Sequence, residues 1–220
     1  NETGRLRILT IPRDTWVPIP GSSYENRIAS LYETGGASLV VLAVEKLLGV
    51  SVHQYVTIDM ATFAEIIDTL GGIDLYVETD MNYDDPEANL SIHLKQGYQH
   101  LAGKDAVGYL RYRSTDLGDV GRSKRQQMFV RALYEEAMQV STLPKIPAIA
   151  EILQTRVTTS AEIFDSAHIA NVLRHMNREA PEVWMLPGTT AEGDDTIWMP
   201  DTQAVGEGIA KLFPSPNETE

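Results

Sequence analysis

The sequence predicts an α/β fold, in which helices cover a β-sheet. Short β-rich segments alternate with amphipathic helical segments along most of the chain, and this alternation is typical of a sheet that is covered by helices. No internal repeat, low-complexity linker or sharp change in composition divides the sequence. We therefore predict that the 220 residues form a single domain, 1–220, which is long enough to bury a substantial core.

Elements of the N-terminal third follow from their periodicity. The segment RLRILTI, residues 5–11, is β-rich and is followed by Pro12, so it predicts a mostly buried strand. The segment GGASLVVLAVEKLLG, residues 35–49, predicts a helix that ends at Gly49. Its inward face is expected to carry four apolar residues, Leu39, Leu42, Ala43 and Leu47. Three more elements follow, a strand at 51–58, a helix at 60–72 and a strand at 73–78.

The middle of the sequence is less regular. Residues 79–97 are polar and contain Pro86 and Gly97, so they predict a loop with a short strand near SIHL. A short helix at 102–110 leads into an RYR segment that we expect to be extended, and a clear helix runs from about 121 to 139. No uninterrupted apolar run approaches the ~20 residues that span a bilayer, so we expect a soluble chain.

Composition limits the classes of function. A formal net charge of −13 and a pI near 4.8 argue against nucleic-acid binding, which needs a broad basic face. The absence of cysteine excludes disulfides, thiolate metal sites and a cysteine nucleophile. The five histidines show no metal-ligand spacing, and DMNYDD, residues 80–85, fails as a calcium loop because Asp85 stands where glycine is needed. We therefore assign no metal ligand within this sequence.

One short region reverses the charge of the chain. Between Arg111 and Arg131 there are six basic residues and two acidic ones. In an extended RYR, Arg111 and Arg113 project from the same face. Two parallel guanidinium groups favour an anion between them, because they otherwise repel each other. Arginine suits phosphate oxygens because its planar fork can bind them through two hydrogen bonds.

The helix that follows RYR carries the second half of this basic cluster. Four residues at helical spacing share one of its faces, Arg122, Arg125, Gln126 and Phe129. Asp119 or Ser123 is placed to cap the helix, and the free N–H groups of a first helical turn favour an anion. The two halves together predict a phosphate clamp. From spacing alone, a solvated surface cluster paired with acidic neighbours is an equally good interpretation.

A further basic position follows the first predicted strand. Arg13 and Asp14, in the sequence IPRD, come directly after the C-terminal end of that strand, where ligands bind in open α/β sheets. Taken alone, the pattern favours a simpler interpretation, in which a proline ends the strand and an ion pair follows on the surface. The functional interpretation of IPRD therefore depends on the rest of the sequence.

Six segments, taken in order, closely resemble the LytR-CpsA-Psr family. They are ILTIPRDTWVPIPG, YETGG, VEKLLGVSVHQYVTID, DTLGGIDLYV, LKQGYQHLAGKDAVGYLRYR and DVGRSKRQQ. Their order and spacing match the family across nearly the whole chain, and the C-terminal LPG and MPDTQAV fit its last elements. The combination of IPRD with R-x-R and GR-x-x-RQQ is far more specific than any one of these motifs.

The resemblance implies an extracytoplasmic phosphotransferase of bacteria, located at the interface of cell membrane and cell wall. Members of the family move a glycopolymer, such as wall teichoic acid or capsule, from a polyprenyl diphosphate carrier to peptidoglycan. The implied fold is a three-layer αβα sandwich, with a mixed central sheet that helices cover on both faces. A hydrophobic lipid tunnel between sheet and helices, and a diphosphate site lined by arginines with Mg²⁺ nearby, are implied as well.

Carried over residue by residue, the resemblance implies that Arg13, Arg111 and Arg113 are catalytic and bind the diphosphate. Four residues at the start of the next helix are expected to bind the same group, Arg122, Arg125, Gln126 and Gln127. Asp14 and Asp119 are expected to orient the arginines, and Asp14 is the substitute candidate for a general base.

One part of the family pattern precedes IPRD and is not contained in residues 1–220. In the family, a strand with an aspartate motif supplies the metal ligand and a further arginine, and a membrane anchor lies before it. We expect the metal-binding aspartate, the general base and the anchor to lie upstream of Asn1. Activity of residues 1–220 on their own is left open.

Two other functions are compatible with the same basic cluster. One is a non-catalytic protein that binds polyprenyl phosphate and presents it to partners. The other is a hydrolase, in which water replaces the sugar hydroxyl that attacks the diphosphate. Turnover that depends on the acceptor would separate transfer from both.

Overall fold

The computed structural model describes residues 6–87, 89–112, 118–160, 165–176 and 179–212. The predicted α/β class is confirmed, since short strands and seven α-helices alternate within these ranges. The strands are β1 (Arg7–Thr10), β2 (Trp16–Pro18), β3 (Glu25–Arg27), β4 (Val56–Thr57), β5 (Ile73–Val77), β6 (Met81–Asp85), β7 (Leu90–Leu94), β8 (Gly97–Leu101), β9 (Thr158–Thr159), β10 (Glu182–Met185), β11 (Gly188–Ala191) and β12 (Asp194–Pro200). The helices are α1 (Ile28–Leu48), α2 (Met60–Leu70), α3 (Gly103–Arg111), α4 (Gly118–Ala137), α5 (Ile146–Arg156), α6 (Ser166–His175) and α7 (Thr202–Leu212), with a 3₁₀ turn at Val140–Lys145.

The described strands pair two by two. The six pairs are β1 with β10, β2 with β3, β4 with β9, β5 with β8, β6 with β7, and β11 with β12. The longest regular ladders are antiparallel, and β5 and β8 pair from Ile73 opposite Leu101 to Val77 opposite Gly97. The chain divides into two compact units. The larger unit comprises Asn1–Leu6 and Val56–Glu182, and the smaller unit comprises Arg7–Tyr55 and Val183–Glu220. The single domain over 1–220 stays a prediction.

The core of the larger unit is built on β5, whose side chains alternate between buried and exposed as the sequence predicts. Ile73 and Val77 are fully buried, and they join a cluster with residues of α2, α3 and α4. Helix α2 begins where the Asp59 carboxylate accepts the backbone N–H of Thr62 at 2.7 Å. It ends at Gly71, whose left-handed backbone (φ 93°) is the usual helix stop. The prediction for 60–78 is confirmed within two residues.

The short strand predicted near SIHL is confirmed as β7, but the loop predicted before it is wrong at 81–85, which form β6 and pair with β7 in antiparallel orientation. The pairing places Met81 opposite Leu94 and Tyr83 opposite Ile92. Met81, Ile92 and Leu94 are buried, whereas the polar residues between them face solvent. Asp84, for example, accepts the Ser91 hydroxyl at 2.6 Å across the pair. The polar composition therefore marks the solvent face of two strands, since strand side chains alternate between the two faces.

In the smaller unit, α1 begins seven residues before the predicted helix. It contains a break at Gly36, whose φ of 62° and ψ of −163° only glycine adopts readily. Ile28, Leu31 and Ala43 are buried against Val17 of β2, but Leu42, predicted to face inward, is half exposed. Because α1 is longer than predicted, it is the one described helix that is long and apolar enough to cross a membrane by length and composition.

Candidate functional site

The first part of the candidate site is the C-terminal end of α3, in the larger unit. Ala106, Val107 and Tyr109 bury one side of this helix, and the helix continues through Arg111. The Tyr112 N–H donates to the Gly108 carbonyl at 2.9 Å, and the chain leaves the helix at Tyr112 with φ −59° and ψ 132°. The prediction that RYR is extended is therefore wrong at Arg111. The Arg111 side chain is exposed at the last helical turn.

Arg113 lies outside the described residues, so its position relative to Arg111 stays a prediction. The physical reason for the helical Arg111 is the amphipathic spacing of the preceding residues, which pack against α2 and β7. The Asp68 carboxylate accepts the Gly103 N–H at 2.7 Å. This bond fixes the start of α3 and with it the register of the packing.

The second part of the site is Arg125 on α4. Its side chain is 2% exposed. The Nε–H donates to a carboxylate oxygen of Glu78 at 2.6 Å, and Nη1 donates to the backbone carbonyl of Tyr112 at 2.5 Å. Arg125 shares the inward face of α4 with buried Phe129, as their helical spacing predicts. Arg125 is thus an internal residue whose guanidinium joins α4, the end of β5 and the end of α3.

Tyr109 completes the surroundings of this guanidinium. Its hydroxyl donates to the second carboxylate oxygen of Glu78 at 3.1 Å. Burial raises the pKa of Tyr109, and the neighbouring Glu78 carboxylate raises it further, so the hydroxyl stays a donor. The rings of Tyr109 and Tyr112 lie 5.8 and 5.6 Å from the guanidinium carbon of Arg125, within the range of a cation–π interaction.

The remaining predicted residues of this region lie on α4. Gln126 and Gln127 directly follow Arg125 and are half-buried. Arg122 and Asp119 belong to the first turns of α4, and their side chains lie outside the described residues. The contacts of Arg122, Gln126 and Gln127 with a diphosphate and the orienting role of Asp119 stay predictions.

In the smaller unit, a separate set of predicted residues lies in the turn after β1. Thr15 closes it, since both its N–H and its hydroxyl donate to the Pro12 carbonyl, at 3.0 and 2.6 Å. The Asp14 carbonyl accepts the Trp198 N–H at 3.0 Å, which ties the turn to β12. Arg13 is 72% exposed, with its Nε 3.8 Å from an Asp14 carboxylate oxygen. The surface ion pair of the simpler interpretation is present, and the guanidinium is open to solvent.

Arg27 is a second cation beside Asp14 that the sequence did not single out. Its Nε lies 3.8 Å from the same carboxylate oxygen, and Nη2 donates to the Thr196 hydroxyl at 2.8 Å. Hydrogen bonds from Thr196, and then the charge of Arg27, hold the pKa of Asp194 below its usual value. One Asp14 carboxylate oxygen thus lies 3.8 Å from both Arg13 and Arg27, and its orienting role stays a prediction.

Glu78 is a second residue that the sequence analysis missed. It directly follows the buried strand β5, which is the signal that drew attention to IPRD after β1. Applied to every strand, that signal would have found Glu78. No sequence signal of this kind marks Arg27, whose role depends on pairing between β2 and β3 and on residues of β12.

Metal ligands are not gathered in the described part of the chain. No group of three or more His, Asp or Glu side chains there could hold a metal ion. A role for Mg²⁺ in this protein stays a prediction.

The sequence was compared with known families and proteins. The sequence matches the LytR_cpsA_psr family over residues 1–212. The chain belongs to this family. TagV of Bacillus subtilis (strain 168), a polyisoprenyl-teichoic acid–peptidoglycan teichoic acid transferase, is 33% identical over 171 residues, which are 76% of this chain and 44% of TagV. The regulatory protein MsrR of Staphylococcus aureus (strain COL) is 34% identical over 158 residues, 71% of this chain and 46% of MsrR.

Solved structures of the LytR_cpsA_psr family share the fold. The crystal structure of B. subtilis TagV superposes with a TM-score of 0.77 at 27% identity, and the match covers 95% of this chain and 84% of that one. The structure of TagT bound to LI-WTA gives a TM-score of 0.73 at 21% identity, over 93% and 76% of the two chains. These matches confirm the predicted fold class. The chain spans about half the length of the curated relatives TagV and MsrR.

Proposed function

We propose that this chain is the transferase domain of a phosphotransferase that attaches a glycopolymer to peptidoglycan. The donor is the glycopolymer linked to a polyprenyl diphosphate, and the released product is polyprenyl phosphate. The observation that carries the proposal is the likeness to TagV, whose name describes this transfer, over three quarters of the chain. The exposed guanidinium groups of Arg13 and Arg111 support it, because a diphosphate is recognised by charge and by forked hydrogen bonds.

Wall teichoic acid is the favoured glycopolymer class within this proposal. Both the name of TagV and the TagT structure with LI-WTA point to it. Capsule and similar polymers share the polyprenyl diphosphate link, so the arginines would recognise them by the same chemistry. The acceptor is a hydroxyl group of peptidoglycan.

The reaction is a substitution at the phosphorus that carries the polymer. The acceptor oxygen forms a new bond to this phosphorus, and the bond to the bridging diphosphate oxygen breaks, so that oxygen leaves with polyprenyl phosphate. The acceptor loses its proton to a base as the new bond forms. Negative charge grows on the phosphate oxygens, and fixed guanidinium groups stabilise such charge more in the transition state than in the ground state.

Each predicted residue has a place in this proposal. Arg13, Arg111 and Arg113 bind the diphosphate and act on the transferring group. Arg122, Gln126 and Gln127 on α4 donate hydrogen bonds to its oxygens, while Asp14 and Asp119 orient arginines. Mg²⁺ remains an expectation from the family resemblance.

The location follows from the acceptor. Peptidoglycan lies outside the cytoplasmic membrane, so we place the chain on that side, at the interface of cell membrane and cell wall. Attachment to the membrane through a segment outside residues 1–220 belongs to the same proposal. It would bring the lipid-linked donor and the domain into one plane.

The proposal is tested in the full-length protein with a lipid-linked teichoic acid donor and peptidoglycan. We expect polymer attachment to depend on peptidoglycan, and Arg111→Ala and Arg113→Ala to abolish it without changing the melting temperature. Arg131→Ala is the matched control, because Arg131 is an exposed arginine on α4 away from the predicted face. Wild-type transfer in both variants would refute the proposal. Polymer phosphate released without peptidoglycan would show hydrolysis, and bound lipid without turnover would show a carrier.

A further inference from the structure

The environment of Arg125 leads to an inference that rests on the proposed function. We infer that Arg125 is a positioning residue, which fixes the C-terminal end of α3 and thereby places Arg111 for the diphosphate. Glu78 and Tyr109 are the partners through which it acts. This role differs from the direct diphosphate contact expected for Arg125 from the family resemblance.

The burial of Arg125 is the first observation. A guanidinium that grips a ligand needs donors that face the ligand, yet the Arg125 side chain is 2% exposed. Two of its donors are already used, Nε by Glu78 and Nη1 by the Tyr112 carbonyl. Both bonds are short, as expected where a charged donor meets a carboxylate or a carbonyl inside a protein.

The Tyr112 carbonyl is the second observation. It belongs to the residue that ends α3, and the last carbonyls of a helix have no partner within the helix. Arg125 supplies that partner from another helix, so it acts as a C-terminal cap for α3. In the sequence Tyr112 stands between Arg111 and Arg113. The carbonyl that Arg125 holds is therefore the backbone link between the two arginines.

The third observation is that α3 is held at a second point. The Tyr109 hydroxyl donates to Glu78, the same carboxylate that binds Arg125. Tyr109 and Tyr112 lie three residues apart in the sequence, so they are neighbours on the surface of the last turn. The last turn of α3 is therefore bound through the Tyr109 side chain and through the Tyr112 carbonyl. Arg111, which lies between them in the sequence, is exposed.

A fixed helix end matters for the proposed chemistry because catalysis of phosphoryl transfer is mostly positioning and charge stabilisation. Displacement of a binding group by about 1 Å can lower a rate about 100-fold. The negative charge of Glu78 would by itself repel a diphosphate. Its presence beside Tyr109, at the end of α3, is explained if its task is to hold Arg125.

The direction in which Glu78→Gln changes donor binding separates a positioning role from a purely electrostatic one. In the full-length protein, Glu78→Gln removes a negative charge, so electrostatics alone predicts tighter binding of a polyprenyl diphosphate donor. Positioning predicts weaker binding, on the order of tenfold. Tyr109→Phe, which changes no charge, should weaken binding in the same direction. Glu65→Gln is the matched control, since Glu65 forms an exposed ion pair with Arg156 in the same unit.

A double-mutant cycle tests whether Arg125 acts through Arg111. Arg125→Lys keeps the charge but cannot hold Glu78 and the Tyr112 carbonyl with one planar fork. We expect it to weaken donor binding on the order of tenfold in the wild type and by less than about twofold in the Arg111→Ala background. Equal losses in both backgrounds would overturn the inference, because a direct contact or a purely structural role adds independently.

The outcomes also separate this inference from the proposed function. If Arg111→Ala and Arg113→Ala leave donor binding unchanged, the proposed function fails. If they weaken binding while Glu78→Gln strengthens it or leaves it unchanged, the positioning role alone fails. Should Arg125→Lys not fold, Glu78→Gln and Tyr109→Phe still decide the question, with the melting temperature of each variant measured alongside.

Discussion

Arg125 and Arg13 are both arginines of the family motifs, but their surroundings are opposite. Arg125 is 2% exposed and bonds to Glu78 at 2.6 Å, whereas Arg13 is 72% exposed and lies 3.8 Å from Asp14. The first pair is a hydrogen-bonded ion pair with a buried arginine and a Glu78 side chain that is 25% exposed. Removing one partner of a pair inside a protein destabilises the fold strongly. The second is a surface pair, which contributes about 0–1 kcal/mol and is easily broken.

The difference suggests a division of labour within one set of motif arginines. A guanidinium that can leave its carboxylate at little cost can turn to an arriving anion, as Arg13 is proposed to do. A guanidinium that cannot leave is suited to holding backbone in place. The predictions that follow test this contrast, beginning with the largest expected effect.

Removal of Arg125 should affect stability more than any other change considered. Arg125→Ala leaves the Glu78 carboxylate with the Tyr109 hydroxyl as its other donor and removes the Arg125 donor from the Tyr112 carbonyl, so we expect a loss of about 3 kcal/mol in the free energy of unfolding. Urea denaturation of residues 1–220 measures it. Arg131→Ala, an exposed arginine on the same helix, should change stability by less than about 0.5 kcal/mol. Similar losses in the two variants would show that the buried pair has no special weight.

Removal of Arg13 should lower glycopolymer transfer strongly and change stability little. Arg13→Ala in the full-length protein should lower glycopolymer transfer about 10²–10³-fold, by analogy with the loss of an oxyanion-hole donor. Its free energy of unfolding should stay within about 0.5 kcal/mol of wild type. A loss of transfer that only follows a loss of folded protein would contradict the contrast with Arg125.

A smaller effect is expected from the hydroxyl of Tyr109. Tyr109→Phe keeps the buried ring and removes a hydrogen bond to the Glu78 carboxylate, so it should destabilise the larger unit by about 1.5–3 kcal/mol. Tyr83→Phe is the control, because Tyr83 is exposed and its hydroxyl lies 3.4 Å from Asp85. Equal unfolding midpoints for Tyr109→Phe and Tyr83→Phe would remove Tyr109 from the network.

The smallest effect on stability is expected from the protonation of His100, an exposed residue that pairs with Asp74. His100 Nδ1 lies 2.7 Å from the Asp74 carboxylate and Nε2 lies 2.8 Å from the Gly71 carbonyl, so the protonated ring satisfies both acceptors. The bond to Asp74, then that to Gly71, raises the pKa of His100 above its ordinary value of 6.5, and Glu136 adds to this. The Lys145 ammonium group also faces this end of α2, since it donates to the Leu70 carbonyl.

The direction of the pH dependence follows from that raised pKa. The folded state holds the His100 proton more tightly than the unfolded state, so its stabilisation is complete below pH 6.5 and is lost as pH rises through the folded pKa. Asp74→Asn should therefore lower the unfolding midpoint more at a pH of about 5.5 than at about 8.5. Asp80→Asn is the control, since Asp80 pairs with a lysine, Lys95, instead of a histidine. An equal pH dependence in both variants would refute the assignment.

Periodic segments of the fold could be predicted from the sequence, because their burial follows their own spacing. Helix α2 with its stop at Gly71 and the alternating strand β5 are examples. Strand β6 could not, since most of its residues are polar or exposed, and only its partner β7 was predicted, as the short strand near SIHL. The early start of α1 was also missed, because the break at Gly36 resembles a helix boundary in sequence.

For the candidate site, residue identity could be predicted more readily than residue role. The arginines of IPRD, RYR and the α4 helix were all singled out by motif. Spacing placed Arg125 and Phe129 on one face of α4, but whether that face meets a ligand or the interior depends on Glu78, 47 residues away in sequence. Such long-range partners set the environment of a side chain, and no local pattern reports them.

The network of Glu78, Tyr109 and Arg125 also constrains how this sequence can diverge. Each of the three satisfies the others, so a change at any one position leaves a charge or a donor inside the protein without its partner. Homologous sequences should therefore retain the three residues as a set or replace them together. Glu65 and Arg156, which form an exposed pair in the same unit, should drift independently of each other. Covariation across an alignment of the family would show the difference.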